Sequence, residues 1–365
     1  MGKLYVGNSG STPAIIKVEE VPKVKFGTTV DGFLGDVDKD GVLLAPTTSI
    51  ELDFAGVKSI ADYSYAFYSR KNIISADLGS IESVLAAGLQ NAFASSSLVS
   101  INLSSLKTIS ASGCDQMCYN TSIVTFDLPA LTEVGSYGLR QAAAACKKIT
   151  SANLSSLTSV GQYGLDQMFN DSTLVTLDLR SLESVDGTNG LNLVAYSCKK
   201  LESVNLMSLK STAKNALQQA FQYCSLLKNI DLPSLEVAGE NALYQAFRNC
   251  SSLEQANLSS LTTCAYSALY WAFGNCTKLT SVNLNSLQTV NRWGLCGTFG
   301  SCTALTTISF PSLTTVDVEG FVNTFTGCTA LTEIHFRADM QATIEAMTGY
   351  ADKFGATNAT IYFDL

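Results

Sequence analysis

One short motif, an apolar residue followed by Asn or Asp and then Leu, returns along most of this chain. It reads Ile101-Asn102-Leu103, Phe126-Asp127-Leu128, Ala152-Asn153-Leu154, Leu177-Asp178-Leu179, Val204-Asn205-Leu206, Ile230-Asp231-Leu232, Ala256-Asn257-Leu258 and Val282-Asn283-Leu284. Looser copies stand at Leu52-Asp53-Phe54, Ala76-Asp77-Leu78, Ile308-Ser309-Phe310 and Ile334-His335-Phe336, giving twelve rungs spaced by 24 to 27 residues. A fixed period of this size implies a solenoid, because one unit cannot bury its own apolar faces and stacked neighbours can.

The physical reading of one unit is direct. Around Ala256 and Leu258 apolar and polar residues alternate, which makes a short half-buried strand. About ten residues on, Leu269, Ala272 and Phe273 stand at i, i+3 and i+4, the apolar face of a helical turn. The expected unit is therefore strand, turn, short helix, turn. Column by column the core trades volume: where Phe shrinks to Cys118 or Ala195, the preceding Ala grows to Met117 or Val194. Only the rung with Ala142 and Ala143 lacks this compensation, and looser packing is expected there.

Seven of the eleven cysteines share one column: Cys146, Cys198, Cys224, Cys250, Cys276, Cys302 and Cys328. A solenoid spreads a column into a line, so metal ligands would not converge, and an odd number without paired spacing does not read as a disulfide framework. Buried, reduced thiols are expected, with Cys296 as the exposed one. The single histidine, His335, leaves a serine or cysteine nucleophile elsewhere without an imidazole. The Asp residues recur at repeat positions, which is scaffold chemistry. Asp36, Asp38 and Asp40 open like a calcium loop, but Thr47 stands where a bidentate carboxylate is required, so an acidic turn is the reading. Neither an enzyme, a cofactor nor a bound metal is expected. Charged residues are only 15% and the net charge is −8, which argues against a nucleic-acid partner. No apolar run approaches the length of a membrane span, and the first residues lack a signal-peptide core.

The repeat L-x-x-[IVA]-[ND]-L-x-S-L-x-x-[VI] followed by A-[LF]-x-x-A-F-x-x-C resembles the BspA-like (Treponema-type) leucine-rich repeat over about residues 50 to 337. The resemblance implies an α/β solenoid with a parallel β-sheet on one face and short helices on the other. Members of that family are typically bacterial surface or secreted proteins implicated in adhesion, so the resemblance also implies a binding role. Three segments are expected: 1–48 as a β-rich N-terminal cap or attachment segment, 49–337 as the solenoid, and 338–365 as a helix-strand cap. In tone, residues 3–43 also resemble short leaders on tail-associated proteins of prophages.

Two candidate surfaces follow. On the strand face, Asn102, Asp127, Asn153, Asp178, Asn205, Asp231 and Asn257 alternate, and an Asn between two Asp could donate amide hydrogens to both, forming a continuous polar ladder with a structural or binding role. On the helix side, Tyr244, Tyr270, Trp271, Arg292 and Trp293 form an aromatic cluster suited to a sugar ring or a protein anchor. The 27-residue rung holding Gly187 and Gly190 also breaks the beat. The expected function is a non-enzymatic binding or adhesion module for a protein or glycan on a cell surface. The alternative is a structural spacer or receptor-binding component of a phage or cell-surface assembly. Cell-surface, secreted or virion-associated settings are all compatible with the sequence, and oligomeric state is not legible in it.

Overall fold

The computed structural model describes residues 49–365, together with the backbone of strands Lys3–Leu4, Glu19–Glu20 and Lys23–Lys25. The readings made for the rest of 1–48, the acidic turn at 36–41 among them, lie outside the described residues. Each rung has three sides. The first is a strand of the motif, as in Gln255–Asn257, and the second is a two-residue strand, as in Thr263–Cys264. Both stack in parallel and in register on the next rung, Ala256 opposite Val282 and Thr263 opposite Thr289. Parallel sheets therefore run along two sides of the solenoid, in several segments.

The third side corrects the sequence reading: it is a ribbon of consecutive four-residue turns, and no α-helix forms in the rungs. Its hydrogen bonds alternate. Leu269, Trp271, Phe273 and Asn275 donate to carbonyls of the following rung at 2.7–3.0 Å, while Tyr270, Ala272, Gly274 and Cys276 donate three residues back within their own rung. Every ribbon N–H named here is thus satisfied without a helix. The reason lies in pitch. Two sheets hold successive rungs about 4.8 Å apart, and a helix about 10 Å across would force the third side open. The buried pattern i, i+3, i+4, i+7 fits a four-residue period as well as a helical one over so short a stretch, which is why the sequence could not separate them. Every fourth ribbon residue pays for the flat path with a left-handed backbone, as Ser267, Trp271 and Asn275 show.

Inside, the Phe column forms a continuous stack. Phe221, Phe247, Phe273, Phe299 and Phe325 follow one another at 5.4–5.8 Å with rings within 12° of parallel. The rung of Ala142 and Ala143 is filled after all, because its own first side contributes Phe126, fully buried and edge-on to Phe169 at 6.3 Å. Compensation there crosses the core instead of running between adjacent columns. The thiols of Cys250, Cys276 and Cys302 donate to the carbonyls of Phe221, Phe247 and Phe273 in the preceding rung, each at 3.2 Å. All eleven cysteines are free and buried, Cys296 included at 9% exposure, the most exposed of the set. Burial pushes the Cys198 thiol up to about 11 and the Cys250 thiol up to about 12, which makes them poor nucleophiles.

Gly187 has a packing reason. A Cβ there would fall 2.3 Å from the Gly161 carbonyl carbon, so only glycine lets the longer rung lie against its neighbour. At the C-terminal end, strand Thr360–Phe363 pairs in parallel with Glu333–Phe336, and a short helix, Gln341–Glu345, precedes it. Among the described residues no helix is long and apolar enough to cross a membrane.

Candidate interaction face

The Asn/Asp column does less between rungs than the alternation suggests. One amide ladder step forms, Asn102 Nδ2 to Asp77 Oδ1 at 2.8 Å. Elsewhere the side-chain oxygen turns back on its own chain. Asn153, Asn205 and Asn257 accept the backbone N–H two residues on at 2.9–3.3 Å, and Asp178 accepts that of Arg180 at 3.2 Å. This is the local turn that Asn and Asp both make, which explains their interchange. Asp127 and Asp231 have proline two residues on, Pro129 and Pro233, where no N–H exists. Asp127 accepts the backbone N–H of Asn153 instead, at 3.0 Å. The strand-face column is therefore mainly a set of strand-to-turn caps.

The ribbon side is different in kind. Tyr244 and Tyr270 stack at 4.8 Å with rings 4° from parallel. Trp271, next along, does not stack with them. Its indole lies over Gly297 and Gly300, where added Cβ atoms would come within 2.3 and 2.6 Å of the ring, and the Arg248 guanidinium sits 5.1 Å from it. Trp293 pairs with Tyr266 at 5.4 Å and with the Arg292 guanidinium at 4.7 Å, and Arg292 Nε bonds Glu319 at 2.5 Å. The candidate cluster is thus three adjacent groups, and Tyr266 and Arg248 belong to them although the sequence reading missed both.

Further back along the same side, Tyr137 and Tyr163 stack at 4.9 Å and Tyr196 meets Tyr223 edge-on at 5.5 Å. Beside them lies a buried polar network. Asp115, 1% exposed, receives Arg140 Nε at 3.0 Å and Nη2 at 2.8 Å, with Gln90 at 3.3 Å. Asp166 receives Asn192 at 2.7 Å and Gln167 at 3.1 Å. Burial raises the pKa of Asp166 above the usual carboxylate range, against the pull of those two donors. Gln90, Asp115, Arg140, Asp166 and Asn192 share one ribbon column, a periodic polar signal that the sequence carries.

Two stacked parallel sheets, a turn ribbon and an unbroken core define a solenoid repeat protein. The BspA type Leucine rich repeat region, in six copies, matches residues 46–143, 145–270, 182–293 and 245–348, and the chain belongs to that family. The family is a non-catalytic repeat scaffold, and the leucine-rich repeat fold is one commonly used to bind proteins. Similar solved structures include a leucine-rich repeat protein from Bacteroides ovatus, 16% identical over 94% of this chain and 92% of that one, with a TM-score of 0.38. A leucine rich cell surface protein from Faecalibacterium prausnitzii is 18% identical over 92% and 88%, with a TM-score of 0.38. The pneumococcal vaccine antigen PcpA is 14% identical over 87% and 72%, with a TM-score of 0.41. No curated protein matches the chain in sequence.

Proposed function

We propose that this chain is a non-enzymatic binding module that engages a protein partner at a cell surface through its turn ribbon. One observation supports the reading above others. Among the described residues, the outward aromatic side chains of the rungs stand on the ribbon: Tyr65, Tyr68, Tyr119, Tyr137, Tyr163, Tyr196, Tyr223, Tyr244, Tyr266, Tyr270, Trp271 and Trp293. The strand faces between carry mainly Ser, Thr, Asn, Asp, Lys and Glu, with isolated exposed apolar residues such as Val237 and Met207. Tyr and Trp are the residues on which protein interfaces concentrate their energy. Several of these, among them Tyr65, Tyr137, Tyr163, Tyr223, Trp271 and Trp293, also occupy left-handed backbone positions, the least favourable places for bulky side chains.

The reading is tested with a Tyr244→Ser, Tyr266→Ser, Trp293→Ser triple variant. Fluorescently labelled wild type is expected to stain intact cells and to pull down a protein partner from their surface. The variant, folded by circular dichroism, is expected to lose both. Undiminished staining by the folded variant would remove the ribbon as the binding face, and no staining by the wild type would favour a spacer.

A further inference from the structure

The corner where the ribbon hands over to the next first strand varies in length, and its charge follows its length. In most rungs two residues separate the Cys column from the next buried Leu or Ile: Lys147 and Lys148 before Ile149, Lys199 and Lys200 before Leu201, Ser251 and Ser252 before Leu253. Three rungs have a single residue there: Ser97, Ser122 and Thr173. The rungs that border these shortened corners carry basic pairs, Arg70 with Lys71, Lys147 with Lys148, and Lys199 with Lys200, and no other corner in the rungs has such a pair.

A missing residue removes about 3.3 Å of chain and recesses the corner. At the middle of the notch Thr173 is drawn down, its N–H to the Cys146 carbonyl at 3.3 Å and its hydroxyl to the Ile149 carbonyl at 2.8 Å. The walls are two rungs apart, about 10 Å at the usual strand spacing. Lys147 is committed to Asp171 at 2.7 Å. Lys148, Lys199 and Lys200 are exposed and make no ion pair among the described residues, whereas Lys58, Lys107, Lys210 and Lys214 each hold a glutamate of a neighbouring rung. The other acidic group nearby is Glu202, two residues beyond Lys200. Tyr223, 41% exposed, stands one rung on, edge-on to Tyr196.

We propose that this notch binds an anionic glycopolymer, a linear saccharide chain bearing carboxylate, sulfate or phosphate groups, with Lys148, Lys199 and Lys200 meeting the charges and the Tyr196–Tyr223 pair packing against the sugar. Three unpaired lysines on a chain of net charge −8 concentrate positive potential against the overall field. That balance selects the shape of the partner. An acidic folded protein would bring its charge against the whole acidic surface, whereas a thin chain meets only the notch, with the rest screened beyond about 8–10 Å at physiological salt. The site shares Tyr196 and Tyr223 with the ribbon but rests on the corner lysines, so it goes beyond the ribbon reading and does not depend on it.

The test is titration of the full chain with dextran sulfate, polygalacturonate, neutral dextran and polyglutamate. Binding to at least one anionic glycan, weakening as salt rises and absent for neutral dextran, is expected. Which of the two binds separates sulfate from carboxylate as the charge recognised. A Lys148→Ala, Lys199→Ala, Lys200→Ala variant is expected to bind at least about tenfold more weakly, roughly the effect of losing local charge focusing. A Lys228→Ala, Lys278→Ala control and the ribbon triple variant, both of which keep the notch, are expected to bind as the wild type does. Silence toward both anionic glycans, equal binding of neutral dextran, equally tight binding of polyglutamate, or full affinity in the triple lysine variant would each overturn the proposal.

Discussion

Ala145 illustrates what the ribbon asks of single residues. It has φ of 58°, in the column of Asn120, Asp171, Asn249 and Asn275, which share the left-handed backbone. Asn tolerates this conformation better than Ala, and in the same column Asn275 donates to Asn249 at 2.9 Å. Ala145→Asn is therefore expected to stabilise the fold by about 0.5–1 kcal/mol, read as a higher denaturant midpoint with unchanged slope. A lower midpoint would mean that the column is selected for something other than backbone preference. The strand-face column makes a second residue-scale prediction. Asn257 accepts the Ser259 N–H at 3.2 Å, a role that an Asp oxygen fills equally well. Asn257→Ala is expected to cost about 1 kcal/mol and Asn257→Asp much less, both from urea unfolding. Equal losses would restore the amide ladder as the main purpose of the column.

At the scale of elements, the repeat and its strands were legible because a column of Leu, Phe or Cys is visible in any aligned sequence. The nature of the third side was not. Burial at i, i+3, i+4 and i+7 is shared by a helix and by four-residue turns, and the deciding fact, the common pitch imposed by two sheets, appears only once the second strand is recognised. Two-residue strands such as Thr263–Cys264 leave almost no alternation to read. The aromatic groups were half legible for the same reason: Tyr244 and Tyr270 share a column and were found, while Tyr266 meets Trp293 by reaching across columns. The core holds a similar cross-column pair. Phe126 fills the space left by Ala142 and Ala143, so Phe126→Ala is expected to cost about 3–5 kcal/mol. Ala143→Phe alone is expected to overpack by about 1–3 kcal/mol. Combined, the two should be less damaging than their sum, and a double-mutant cycle by chemical denaturation that proved additive would show that they do not share one space.

For the whole molecule, stability in a solenoid is a sum of neighbour interfaces, so the last rung depends on its cap. Here the cap covers the first sheet and the ribbon. Thr360–Phe363 extends the first sheet, the Thr348 N–H bonds the Val318 carbonyl at 3.0 Å where the ribbon begins, and Phe325 on the ribbon donates to the Phe354 carbonyl at 2.9 Å. The lone histidine sits in this closure. His335 stacks on Tyr362 at 4.9 Å, and its Nδ1 lies 2.9 Å from Asp364 Oδ1, with Glu333 3.5 Å from Nε2. Burial opposes the imidazolium charge, but the Asp364 and Glu333 carboxylates outweigh it, and the pKa of His335 lies above its ordinary value. A raised folded-state pKa means that this contribution is fully present below the unfolded value of about 6.5 and fades as pH rises through the folded one. The end strand should therefore be held more firmly at pH 5.5 than at pH 8.5. The comparison that checks this is the Tm difference between wild type and His335→Gln across that range. It is expected to favour the wild type at the acid end and to shrink toward pH 8.5, and a difference independent of pH would assign the His335 contribution to its stacking on Tyr362 alone.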